Sequence, residues 1–134
     1  MSVSIVEPYP DTGRMAVAAR LGFVLVVFGV ITASLAPATI VPRMLYSYHL
    51  EHFAAFYLVA LVTAAALPRV RLRKILIWLM VFSALLECGR VFLGARELSS
   101  SQNLFADVGG MWAALAPIVI GRFRDRFRAP ASTA

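Results

Sequence analysis

The chain reads as an all-α, polytopic membrane protein, a four-transmembrane-helix up-down bundle with both termini cytoplasmic. Three observations predict this. The 134 residues are 60% hydrophobic and only 15% charged, with a mean hydropathy of +0.79. Ordinary globular domains run about 45–50% apolar and about 25% charged, so the polar side chains here are too few to cover a soluble particle. The apolar residues fall into four blocks separated by prolines, basic runs or a polar stretch. Finally, most of the 13 Lys+Arg, which with 7 Asp+Glu give a net charge of +6, stand at the ends of those blocks. That placement is the one membrane topology requires, so the pI near 10.5 gives no reason to invoke nucleic acid.

The first span, at 16–36, is built on the uncharged stretch between Arg20 and Arg43, which exceeds the roughly 20 residues needed to cross a ~30 Å hydrocarbon core. Pro37 and Pro42 then forbid a continued helix. Ala36-Pro37-Ala38 superficially resembles a leader cleavage site. The apolar run is too long for a leader, however, and the preceding segment carries Glu7 and Asp11 rather than bases, so a retained span is expected. The second span, at 46–67, ends at Pro68 and is followed by Arg69, Arg71, Arg73 and Lys74. The third, at 74–93, carries Glu87, Cys88 and Arg90 near its far end, the lone cysteine reading as a packing thiol.

After the polar stretch GARELSSSQN comes the fourth span, at 104–121, closed by Arg122, Arg124, Arg126 and Arg128. The uncharged cores of the third and fourth spans fall short of ~20 residues, as a half-inserted hairpin would also give. Full spans are favoured, because flanking Arg and Glu can snorkel and an open hairpin would strand backbone groups in lipid. Segments 1–13 and 122–134 read as flexible tails of a single membrane domain.

Orientation follows from the bases. Arg14, Arg20, Arg69, Arg71, Arg73, Lys74, Arg122, Arg124, Arg126 and Arg128 share one side of such a bundle, leaving Arg43, Arg90 and Arg96 on the other. The positive-inside rule makes the richer side cytoplasmic and the protein multi-pass, N-in and C-in. The RFRDRFR tail then anchors topology, with contact to anionic membrane lipids as the sharper alternative.

Within the spans the ionisable residues share one depth. At ~1.5 Å per residue, His52 stands about 24 Å from Pro68, Glu87 about 20 Å from Lys74, and Asp107 about 22 Å from Arg122. This level is the outer leaflet, where His49, Glu51, Arg90 and Arg96 also fall. Charges there are expensive unless paired or wetted, so these side chains are expected to face one another or an outward cleft. Glu87 and Arg90 are i, i+3 and can pair directly, which a self-compensating couple and a ligand-facing pair explain alike. His49 and His52 share that spacing, but HxxH alone is weak evidence for metal, and a neutral His52 bonded to a carboxylate on another helix is favoured. No metal or other cofactor is expected.

Asn103 reads as the N-cap of the fourth helix, which places Asp107 near its positive end. Pro117 is expected to kink that helix, and Gly109 and Gly110 to let a neighbour approach closely. Ala18 and Gly22, Gly29 and Ala33, and Ala60 and Ala64 have the spacing of packing pairs. Catalytic templates fail. Ser99, Ser100 and Ser101 lie outside any nucleophile elbow, and no phosphate loop, dinucleotide fingerprint or His-Glu-x-x-His occurs.

HFAAFY at His52 to Tyr57, ECGRVFLGAR from Glu87 to Arg96, and ADVGG around Asp107 together resemble the VanZ-like family of small bacterial membrane proteins. That pattern has His-Phe and an aromatic opening one helix, Glu near the end of the next, Arg about nine residues later, and Asp opening the last. The chain departs from it at Tyr48-His49, Arg90 and Met111, where the family often has Asp-Lys, Gln and Asn. The resemblance covers about Tyr46 to Gly121 and implies a bacterial inner-membrane protein of the cell envelope, in a family named for teicoplanin resistance.

Two functions are therefore expected. In the first, His52, Glu87, Arg90, Arg96 and Asp107, with His49 and Glu51 behind them, bind a polar or anionic group or specify the bundle without catalysis. In the second, the chain is an accessory subunit packed against a larger membrane protein complex, respiratory or photosynthetic.

Overall fold

The computed structural model describes residues 13–36, 40, 47–94 and 101–127. Among them are four helices: α1 (Arg14–Leu35), α2 (Tyr48–Ala66), α3 (Leu72–Phe92) and α4 (Ser101–Phe127). Each is long and apolar enough to cross a membrane. The shortest, α2, has 19 residues and so a rise of about 28 Å. The third and fourth helices are thus full length, at 21 and 27 residues. The fourth runs past the expected end at 121, so residues 122–127 are helix rather than tail.

Proline sets two of the ends. Ala36 precedes Pro37 and is extended (φ −71°, ψ 146°), its N–H bonded to the Thr32 carbonyl. Leu67 precedes Pro68 and leaves α2 with its N–H on the Thr63 carbonyl. In both places the ring of the following proline disfavours a helical residue before it. The end of α3 is different: Gly94 adopts φ +82°, which a Cβ would disfavour, and its N–H returns to the Val91 carbonyl. Pro117 lies inside the continuous α4, where it removes one backbone donor.

The core belongs to α2, α3 and α4. Phe56, Val59 and Ala60 meet Ile75, Leu79 and Leu86 and, from α4, Met111, Ala114 and Leu115. The α2–α4 pair is the most extensive. Gly110 makes it possible: a Cβ there would overlap the Phe53 carbonyl oxygen and stand 2.9 Å from the Tyr57 nitrogen. Gly109 meets only the Phe53 ring, at ordinary contact distance. Small residues let membrane helices gain dispersion contacts that lipid cannot supply. The α1 pairs do not work this way, since Gly22 and Gly29 face open space and Ala18 and Ala33 are exposed.

Helix α1 is the outlier. Its one buried residue is Ala16, while Val26, Val27, Val30 and Ile31 pack partly against the core and Leu21, Val24, Leu25 and Phe28 are exposed. Trp78, Leu85, Phe105 and Phe123 on α3 and α4 are exposed too. So much apolar surface is untenable in water and ordinary where lipid is the solvent. Cys88 lies on this exposed surface rather than in the packing between helices. Two threonine hydroxyls within the helices are satisfied locally: Thr32 Oγ1 donates to the Phe28 carbonyl at 2.9 Å and Thr63 Oγ1 to the Val59 carbonyl at 2.6 Å.

Candidate functional site

A single stripe on α3 carries the site. Its buried residues are Ile75, Leu79, Ser83, Leu86 and Arg90, spaced by three and four, so the face that packs the core becomes polar as it approaches the helix end. The same face of α2 passes from Phe56 to His52, and that of α4 from Met111 to Asp107 and Asn103. The polar residues meet at one end of the bundle because each continues an apolar packing stripe.

His52 is central. Its Nδ1 lies 2.8 Å from Asp107 Oδ1, and Arg90 Nη1 lies 2.9 Å from its Nε2. A guanidinium can only donate, so Nε2 accepts, the imidazole proton sits on Nδ1, and that N–H donates to Asp107. Asp107, 1% exposed, also accepts from Ser83 Oγ at 2.5 Å. One carboxylate on α4 therefore binds α2 and α3 at once. Beside it His49 Nδ1 stands 3.1 Å from Asn103 Oδ1, a second α2–α4 bond one turn nearer the helix ends.

Arg90 joins the remaining helix. Its Nε donates to the Ser34 carbonyl at 2.9 Å, and its Nη1 lies 3.4 Å from Glu87 Oε1. Ser34 belongs to the last turn of α1, whose carbonyls lack intrahelical partners and form the negative end of the helix dipole. No base occurs in that last turn of α1, so Arg90 of α3 supplies the cation. The guanidinium also lies 5.2 Å from the centre of the Tyr48 ring, and Tyr48 in turn meets the His52 ring edge-on at 4.7 Å. Tyr48 Oη is buried and has no hydrogen-bond partner among the described residues.

The sequence-derived residues divide accordingly. His52, Glu87, Arg90 and Asp107 come together, and His49 adjoins them through Asn103. Glu51 is half-buried in the first turn of α2, where its charge suits the positive end of that helix. Arg96 lies outside the described residues. Asn103 is not an N-cap: α4 starts at Ser101, and the Asn103 side chain is spent on His49. Asp107 is correspondingly in the second turn of α4, held by side chains rather than by the helix end. Ser83, Tyr48 and the Ser34 carbonyl are additions. Ser83 was detectable as i−4 and i−7 from Glu87 and Arg90, whereas a backbone carbonyl leaves no trace in sequence.

Donor atoms of His52, Glu87 and Asp107 all lie within 4.8 Å of one another, a set with the chemistry to hold a metal ion. An ion there would compete with Arg90 for His52 Nε2. The network contains a carboxylate–histidine pair but no aligned nucleophile, since Ser83 Oγ is bonded to Asp107 and not to the imidazole. What the arrangement does is tie four helices through the bonds of His52, Arg90 and Asp107. Comparison with known proteins finds no matching family model, no matching curated relative and no matching solved structure.

Proposed function

We propose that the chain is a VanZ-like integral membrane protein of the bacterial cell envelope, in which the His52 network lies at the outer leaflet, fixes the helix bundle and presents a polar binding position without catalysis. One observation carries this reading: His52, Glu87 and Asp107, which also carry the family resemblance, converge within 4.8 Å on three separate helices. Charged groups in a bilayer persist when paired or functional, and these are both paired and grouped. Tyr48 Oη supplies hydrogen-bonding capacity for a bound polar group beside Arg90. The ten bases at the other helix ends support a cytoplasmic placement of both termini.

The test is expression of the full chain in a teicoplanin-sensitive bacterium. Wild type raises tolerance, while Glu87→Ala and Asp107→Asn lose it although the proteins still insert. Retained tolerance in a folded Glu87→Ala protein would sink the reading.

A second reading, an accessory subunit of a larger membrane complex, is favoured by α1. That helix buries only Ala16 and leaves Leu21, Val24, Leu25 and Phe28 exposed for a neighbour or for lipid. Extraction from native membranes in mild detergent decides it: a stoichiometric companion supports the subunit, and a free chain removes it.

A further inference from the structure

The end of the bundle away from His52 has its own cavity. The last turns of α2, the start of α3 and the end of α4 enclose a cleft of about 210 Å³. Its lining, which includes Leu61, Ala65, Leu72 and Ile118, is apolar except for Arg122. Arg122 stands one turn beyond Ile118 on the same face of α4, so a cation closes an otherwise greasy groove. Drug-sized sites occupy about 300–1,000 Å³, so this cleft takes a chain segment rather than a whole compact ligand.

The surroundings are mostly basic, with Asp125 the one acid on this end of α4 among the described residues. Arg71, Arg73 and Lys74, at the beginning of α3, and Arg124 on α4 are exposed. No acid occupies the first turn of α3, and no side chain caps it. Bases at a helix N-terminus oppose the dipole, so the region as built favours an anion. An apolar groove between spanning helices, rimmed by bases at the helix ends, matches an acyl chain attached to a negatively charged headgroup.

We propose that this cleft binds an anionic phospholipid, with part of one acyl chain against Leu61, Ala65 and Ile118 and the phosphate on Arg122. The site is independent of the polar network and of the family reading. Its occupant is a lipid rather than free phosphate, because nine of the ten lining residues contribute apolar contact that phosphate cannot use.

The full chain, purified in mild detergent, is titrated with phosphatidylglycerol or phosphatidylcholine and examined by native mass spectrometry. One phosphatidylglycerol is expected to stay bound under conditions that strip phosphatidylcholine. Arg122→Gln weakens retention about five-fold, the ~1 kcal/mol of one base at an anionic surface. Ala65→Trp fills the cleft and abolishes retention with Arg122 still present, while Arg14→Gln changes nothing. Equal retention of the two lipids overturns the proposal, as does retention indifferent to Arg122→Gln. Displacement of the lipid by millimolar inorganic phosphate overturns it too, by reducing the site to a simple anion contact. Should Ala65→Trp fail to fold, the exposed Arg122→Gln substitution and the phosphate competition still decide the matter.

Discussion

Replacing Arg90 with methionine keeps much of the side-chain volume and removes the cation. At the 3.4 Å separation of Arg90 Nη1 and Glu87 Oε1, the attraction at an effective dielectric of about 20 is about 5 kcal/mol. The two side chains are 8% and 14% exposed, so desolvation offsets much of that in the intact pair. In Arg90→Met the attraction goes but Glu87 stays desolvated, and removing one partner of a buried pair costs about 3–5 kcal/mol. The bonds to the Ser34 carbonyl and to His52 Nε2 add about 0.6 kcal/mol each on the scale of interhelical bonds in membranes. The expected loss is about 5 kcal/mol. Adding Glu87→Gln removes the carboxylate charge that has lost its guanidinium and should return about 2 kcal/mol of it. Reversible unfolding in mixed SDS micelles, followed by circular dichroism, measures both variants. A loss below about 1 kcal/mol, or a double variant no more stable than the single one, refutes the reasoning.

Gly110→Ala places a Cβ on the Phe53 carbonyl and should cost about 3 kcal/mol in the same unfolding assay, whereas Gly109→Ala, against a ring that can shift, stays under about 1 kcal/mol. Nitrogen-15 NMR of His52 should show the proton on Nδ1, and an Nε2–H signature would contradict the assigned bond from Arg90. In a stability series, Asp107→Asn should retain more of the fold than Asp107→Ala. The amide oxygen can still accept one bond where alanine leaves both His52 Nδ1–H and Ser83 Oγ–H unpaired, at about 1–3 kcal/mol for each buried donor. Cys88→Ala, at an exposed position, should fall within about 0.5 kcal/mol of wild type.

The spans were legible because proline, basic runs and uninterrupted apolar stretches act locally, and Pro37 and Pro68 mark helix ends to within a residue or two. The common depth of His52, Glu87 and Asp107 was legible as well, since a rigid rise per residue converts position into height. Rotation about each helix axis was not. Cys88 sits one residue from Glu87 yet faces outward, because consecutive helical residues diverge by about 100° and only the packing stripe reveals which one turns in. Asn103 misled because a side chain suited to capping is equally suited to a bond across helices, and the choice depends on where His49 lies. The role of Arg90 at the end of α1 was invisible for a plainer reason: its acceptor is backbone, which every residue has.

The placement of Asp107 on the last helix bears on how the protein is made. Synthesis delivers α1, α2 and α3 before α4, so until then His52 and Ser83 lack the acceptor that joins them, and three spans await the fourth with their donors open. The arrival of Asp107 closes the circuit from α4 through His52 and Arg90 to the end of α1. A chain truncated before α4 thus leaves the His52 Nδ1–H and the Ser83 Oγ–H without the carboxylate that joins α2 to α3 in the finished bundle.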